Sequence, residues 1–206
     1  MARPEVRIDP TGRAFDGLNT FLLFIGLNII YLVSCIPIFT IGAATTALFR
    51  VTIRFSDHES GNLIKDYFVH FGRNFGRATA LGAATGLPVL LLVFAGAFWA
   101  TSEQPAAIGP AIISFVAAVY FFAAFLYACA LTAQFSEGFR QTLKNSLLLP
   151  AAEPAHTFGL LIIPAVLFSF AVLFPAFGFV VITIGFSVGA YGAAFLFRRV
   201  FSRYVP

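Results

Sequence analysis

The chain has 206 residues, of which 59% are hydrophobic, 17% aromatic and only 11% charged. Soluble domains carry about 25% charged residues, so a soluble enzyme or a soluble binding module is excluded. The net charge of +4 does not point to nucleic acid, because the thirteen Lys and Arg flank apolar runs and build no separate basic face.

Residues 1–16 read as a polar cytoplasmic N-terminus with Arg3, Arg7 and Arg13. The run 17–36 exceeds the roughly 7–15 residues of a signal-peptide core and is expected to remain as an uncleaved first span. Its polar members are Asn19 and Asn28. An amide in lipid is costly, so both are expected to face the bundle.

The stretch 35–48 organises the rest. Pro37 cannot continue a helix without losing a hydrogen bond, and Gly42 permits backbone angles that other residues resist. With Thr40, Thr45 and Thr46 they form a hairpin motif between two spans. Span two, 40–55, is short. Thr46, Arg50 and Arg54 fall on one i, i+4 line. Arg50 and Arg54 are expected to snorkel to the interface or to pair with Asp57, Glu59 or Asp66.

An amphipathic helix is expected over 63–77. Leu63, Ile64, Tyr67, Phe68, Phe71 and Phe75 cover one side, with Asp66, His70, Arg73, Asn74 and Arg77 opposite. Arg73 and Arg77 join Arg50 and Arg54 as candidate interfacial anchors. Span three follows at 78–100. Gly72 and Gly76, then Gly82 and Gly86, offer two spacings that would let backbones approach closely.

Span four is placed at 108–134. A second amphipathic helix, 135–149, carries Phe135, Phe139, Leu143 and Leu147 at i+4 intervals, a candidate docking line for a partner. Pro150 and Pro154 are expected to end it. Spans five and six are placed at 157–174 and 179–197, with a turn at Pro175–Gly178. The predicted fold is therefore all-α, a polytopic membrane helix bundle in one domain, 1–206. It has six spans, or five if span two does not cross, and two cytoplasmic-side amphipathic helices.

All thirteen basic residues fall in four segments: before span one, from Arg50 to Arg77, at Arg140 and Lys144, and at Arg198, Arg199 and Arg203. The three remaining turns hold none. The excess of Lys and Arg on the cytoplasmic side then places both termini inside.

The sequence offers no constellation for chemistry. It has no GxxxxGK[ST], GxSxG, HExxH or GxGxxG pattern. The histidines, His58, His70 and His156, lack ligand spacing, and Cys35 and Cys129 sit inside apolar runs as small hydrophobes. Cofactors and metals are not expected. No Asp, Glu, Lys or Arg lies at the middle of a span, which disfavours an ion-coupled carrier and an intramembrane enzyme.

Three stretches carry a resemblance: Ile36-Pro37-Ile38-Phe39-Thr40-Ile41-Gly42-Ala43-Ala44-Thr45-Thr46-Ala47-Leu48, then Asp66-Tyr67-Phe68-Val69-His70-Phe71-Gly72-Arg73-Asn74-Phe75, then Lys144-Asn145-Ser146-Leu147. In these the chain resembles the YesL-type family of bacterial integral membrane proteins (domain of unknown function 624). The resemblance implies the bacterial plasma membrane and a role beside carbohydrate uptake systems of the ABC type. It implies no catalytic residues. The expected function is a non-enzymatic accessory component of such a system, with the lipid bilayer and ABC transporter subunits as partners and no nucleic acid. Two alternatives stay open: an independent facilitator or channel for a neutral solute, lined by Asn28 with Thr and Tyr groups, or a membrane scaffold unrelated to sugar.

Overall fold

The computed structural model describes residues 10–57 and 61–204. His58 and Glu59, like Arg3 and Arg7, lie outside the described residues. The described chain is helical. Helix α1 spans Pro10–Cys35. A single 3-10 turn, Ile38–Thr40, leads into α2, Ile41–Ser56. Helix α3 is Leu63–Arg73 and α4 is Phe75–Ala100. Helix α5, Ile108–Gln134, is followed by α6, Phe139–Ala152, and α7, Pro154–Leu173. The last helix begins as α8, Pro175–Val180, passes through a π-helical stretch, Val181–Gly185, and continues as α9, Phe186–Phe201. Among the described residues, six helical segments are long and apolar enough to cross a membrane. Gly17–Cys35 and Ile38–Ser56 are the first two of them. The chain is an all-α polytopic membrane helix bundle.

Several boundaries move, for local reasons. The expected helix over 63–77 breaks at Asn74, whose backbone leaves helical geometry (φ −109°, ψ 11°). Arg77 therefore belongs to α4, while Asn62 caps α3 by accepting from the Lys65 N–H at 3.1 Å. Pro150 does not end α6 but lies inside it, and Pro154 starts α7 at a position where its missing N–H costs nothing. Pro175–Gly178 is not a turn. Pro175 opens α8, and the chain reverses at the extended Phe174 instead.

Helix α2, the least apolar candidate span, is the centre of the molecule. In its most apolar window 67% of the residues are buried, against at most 33% in any other span. Its composition explains this. Gly42, Ala43, Ala44, Thr45, Thr46 and Ala47 are all buried, and such small side chains let neighbouring backbones close in. Helices α1, α3, α4, α5 and α9 all pack on it.

The packing is oblique. Helix α2 follows α5 in the same sense, with Gly42 at Cys129 and Arg50 at Gln134. Helix α9 also follows α5, through the ring contacts Tyr127–Phe197 and Phe135–Phe201. Between α2 and α9, however, the contacts Phe49–Phe197, Phe55–Tyr191 and Asp57–Arg198 keep no single register. The three helices therefore cross rather than run side by side.

The two amphipathic helices fold back along longer ones. Helix α3 lies on the α1–α2 hairpin: Tyr67 is fully buried, Leu63 nearly so, and Ile64 reaches Gly26. Helix α6 doubles back beside α5, where the Tyr120 hydroxyl donates to the Leu147 carbonyl at 2.5 Å. Its buried face is Thr142, Ser146, Leu149 and Pro150.

Candidate functional site

The hairpin motif is built from its polar atoms. After Cys35 the helical ladder ends, and the Thr40 hydroxyl takes up the slack by donating to the carbonyls of Ser34 and Pro37, both at 2.5 Å. Ile36, Pro37, Ile38 and Phe39 all turn outward. Thr45 meets the Tyr31 hydroxyl at 3.3 Å, and the Thr46 hydroxyl donates to the Gly42 carbonyl at 2.8 Å. The Cys129 thiol adds a weak bond to the same carbonyl at 3.7 Å.

Gly42 does not serve the turn, as its sequence context implied. It sits inside helix α2. A Cβ there would fall 2.6 Å from the Ala78 carbonyl oxygen and 2.8 Å from the Gly82 Cα. The glycine is required by close helix approach. Gly82 is its counterpart, and Gly86 faces the Phe125 ring, whereas Gly72 and Gly76 face open space. Only one of the two glycine spacings is used for packing.

The arginines tie helices together. The half-buried Arg50 donates to the Gln134 side-chain oxygen at 2.7 Å. Arg54 pairs with Asp66, one of its expected partners, at 3.3 Å. Arg77 donates to the Thr142 hydroxyl at 2.8 Å, holding α6 against α4. Arg73 is exposed. Asp57 is taken by Arg198, which also donates to the Ser56 carbonyl at 2.8 Å.

The intramembrane amides divide. Asn28 is fully buried and donates to the carbonyls of Ile182 at 2.6 Å and Val181 at 3.3 Å. It also accepts from the Ser187 N–H at 2.9 Å. It thus completes the hydrogen bonding of the π-helical stretch, which breaks the ordinary backbone register. Asn19 is exposed rather than facing the bundle. As the third residue of the span Gly17–Cys35, it lies at the end of the apolar stretch, where an amide is cheap.

The expected docking line loses its first member. Phe135 lies outside α6 and packs on Phe201 with centroids 5.3 Å apart. Phe139 is exposed, and Leu143 and Leu147 are half-buried.

Sequence reading missed the joint between α6, α7 and the C-terminal segment. Glu153, 7% exposed, accepts from Arg203 at 2.8 and 3.1 Å. His156 Nδ1 stands 3.0 Å away, and the Tyr204 hydroxyl donates at 3.3 Å. The His156 contact is local, but Arg203 is 50 residues away, beyond any spacing rule. Burial alone would raise the Glu153 pKa. The Arg203 and His156 hydrogen bonds, the Arg203 charge and Tyr204 overcome it and hold the carboxyl below its ordinary range. A depressed carboxylate contributes stability above its unfolded pKa and loses it as pH falls through the folded one. The wild-type melting temperature in mild detergent should therefore fall below about pH 4.3, the ordinary glutamate value. Glu153→Gln should be less stable at pH 7 and lack that acid-dependent component. Parallel pH curves for the two proteins would refute the clasp.

Beside Gln134 the ends of α5 and α9 enclose an open cavity of about 530 Å³ whose polar lining is Gln134, Arg198, Arg199 and Ser202. Among the described residues no acidic side chain lines it.

Residues 24–95 match the family described as "Protein of unknown function, DUF624". The match covers about a third of the chain. The matched segment takes in the hairpin motif, α2, α3 and most of α4, including the Gly42–Gly82 contact. The YesL-type resemblance, which is a DUF624 resemblance, holds for the first two of its three stretches. Lys144–Leu147 lies beyond the matched residues. No curated protein and no solved structure matches the chain.

Proposed function

We propose that this protein is a non-enzymatic membrane accessory component that works beside a carbohydrate uptake system of the ABC type, in the bacterial plasma membrane with both termini cytoplasmic. The observation that carries the accessory role is the outward line of α6. Thr142 and Ser146 lie buried against the body, Thr142 held by Arg77, so Phe139, Leu143 and Leu147 are left partly uncovered beside Arg140 and Lys144. A partner helix in the membrane plane fits such a line. The carbohydrate system comes from the family resemblance and the cytoplasmic termini from the charge distribution.

The facilitator reading draws less support. Asn28, its principal lining residue, has its amide engaged on both sides. The threonines of the core, Thr46, Thr52, Thr85 and Thr132, bond their own helix backbones at 2.7–3.0 Å.

The test is co-purification. Phe139→Ser with Leu143→Ser should release an ABC partner while the membrane domain stays inserted. Losing two such contacts at about 1.5 kcal/mol each or more exceeds the roughly 1.4 kcal/mol that corresponds to tenfold in affinity. Solute flux through purified wild type in liposomes, without partner or ATP, would overturn the accessory reading in favour of a facilitator.

A further inference from the structure

We infer that the cavity between the ends of α5 and α9 is a binding site for an anionic phospholipid. Three features of the cavity converge on that class of ligand.

The first is charge. Arg198 and Arg199 both line the cavity. Arg198 is engaged by Asp57 and the Ser56 carbonyl. Arg199 is exposed, and among the described residues it has no acidic partner. A guanidinium presents a planar fork of donors that suits a phosphodiester. The Gln134 amide, its oxygen held by Arg50 at 2.7 Å, adds a neutral hydrogen-bonding group to the same wall, and the Ser202 hydroxyl beside it donates to the Arg199 carbonyl at 3.0 Å.

The second is the apolar remainder of the wall. Phe135, Phe195 and Phe201 complete the lining, and Phe195 is 43% exposed. A hydrophilic anion has no use for these rings. An acyl chain does, and a lipid meets both halves of the wall at once.

The third is position. The cavity sits where the apolar segments Pro105–Gln134 and Pro175–Phe201 both end. That is the depth at which a phosphate group lies in a bilayer, and basic pockets between membrane helices at that level hold anionic headgroups.

The purified full chain in mild detergent should be offered an equimolar mixture of phosphatidylglycerol and phosphatidylcholine with identical acyl chains, and the bound lipid read by native mass spectrometry. Wild type should retain phosphatidylglycerol in preference by about fivefold, the factor expected from one cation near the surface. Arg199→Gln should bring the ratio close to one, and Arg199→Lys should keep it. Ser202→Glu, which breaks no ion pair, should also lower it, and it stands in if Arg199→Gln fails to fold. Glycerol phosphate, the headgroup without chains, should not displace the lipid. A wild-type ratio near one would overturn the proposal. So would a preference unchanged in both Arg199→Gln and Ser202→Glu, or displacement by glycerol phosphate, which would mark a site for free phosphate esters.

Discussion

Gly42→Ala should destabilise the protein by about 3 kcal/mol or more, at or beyond the upper end for overpacking a core. A Cβ at this position would lie 2.6 Å from the Ala78 carbonyl oxygen and 2.8 Å from the Gly82 Cα. Both are backbone atoms of α4, so no side-chain rotation relieves the overlap. Helix α4 must shift, and α5, which shares the contact through Cys129 and Phe125, must shift with it. Gly82→Ala should fail in the same way, since its Cβ would fall 2.6 Å from the Gly42 Cα. Gly76→Ala is the control: it faces open space and gains helix propensity, so it should be neutral or slightly stabilising. Thermal unfolding in mild detergent would read all three. A Gly42→Ala protein melting with wild type would remove this contact from the account of the fold.

Asn28→Leu should cost about 2–3 kcal/mol. The substitution keeps the branching at Cγ but strands the Ile182 carbonyl and the Ser187 N–H, both met by an Asn28 side chain that is fully buried. An orphaned buried group costs about 1–3 kcal/mol, and the smaller values found for hydrogen bonds between membrane helices, about 0.6 kcal/mol on average, keep the sum at the low end. Ser187→Ala should be milder. It loses the hydroxyl bonds to the Phe24 and Ile184 carbonyls and leaves the N–H that Asn28 needs. The larger change should also appear as faster hydrogen exchange across Val181–Ser187, because the π-helical stretch loses its cross-helix partner. Equal exchange in Asn28→Leu and wild type would show that the stretch is held by its own backbone alone.

The fold was legible wherever apolar length decides, because crossing a membrane takes about 20 apolar residues and the runs meet that requirement. The hairpin at Pro37 was legible for the same kind of reason: proline chemistry is local. What escaped was anything fixed by a partner far along the chain. Gly42 looks like a turn glycine from its neighbours and becomes a packing glycine only when Gly82 is placed against it. Phe135 reads as the first member of an amphipathic line, but Phe201 claims it for the core. The Glu153 clasp and the Arg198–Asp57 pair join residues 50 and 141 positions apart, and no periodicity connects them. Asn28 was assigned to a contact between helices by the cost of an amide in lipid, and the structure supplies its partners.

The burial of α2 sets an order on how the protein is made. This helix is synthesised directly after α1 and is the least apolar of the six candidate spans. Most of what covers it, α4, α5 and α9, leaves the ribosome later. Until then Ala43, Ala44, Ala47 and the threonines between them have only α1 beside them, and their side chains offer lipid little in return for insertion. Local hydroxyl bonds such as Thr46 to Gly42 and Thr52 to Leu48 keep the helix self-contained during that interval. The hairpin that carries the family motif is therefore a guest in the bilayer at first, and it becomes the keystone only when the distal half of the chain closes over it.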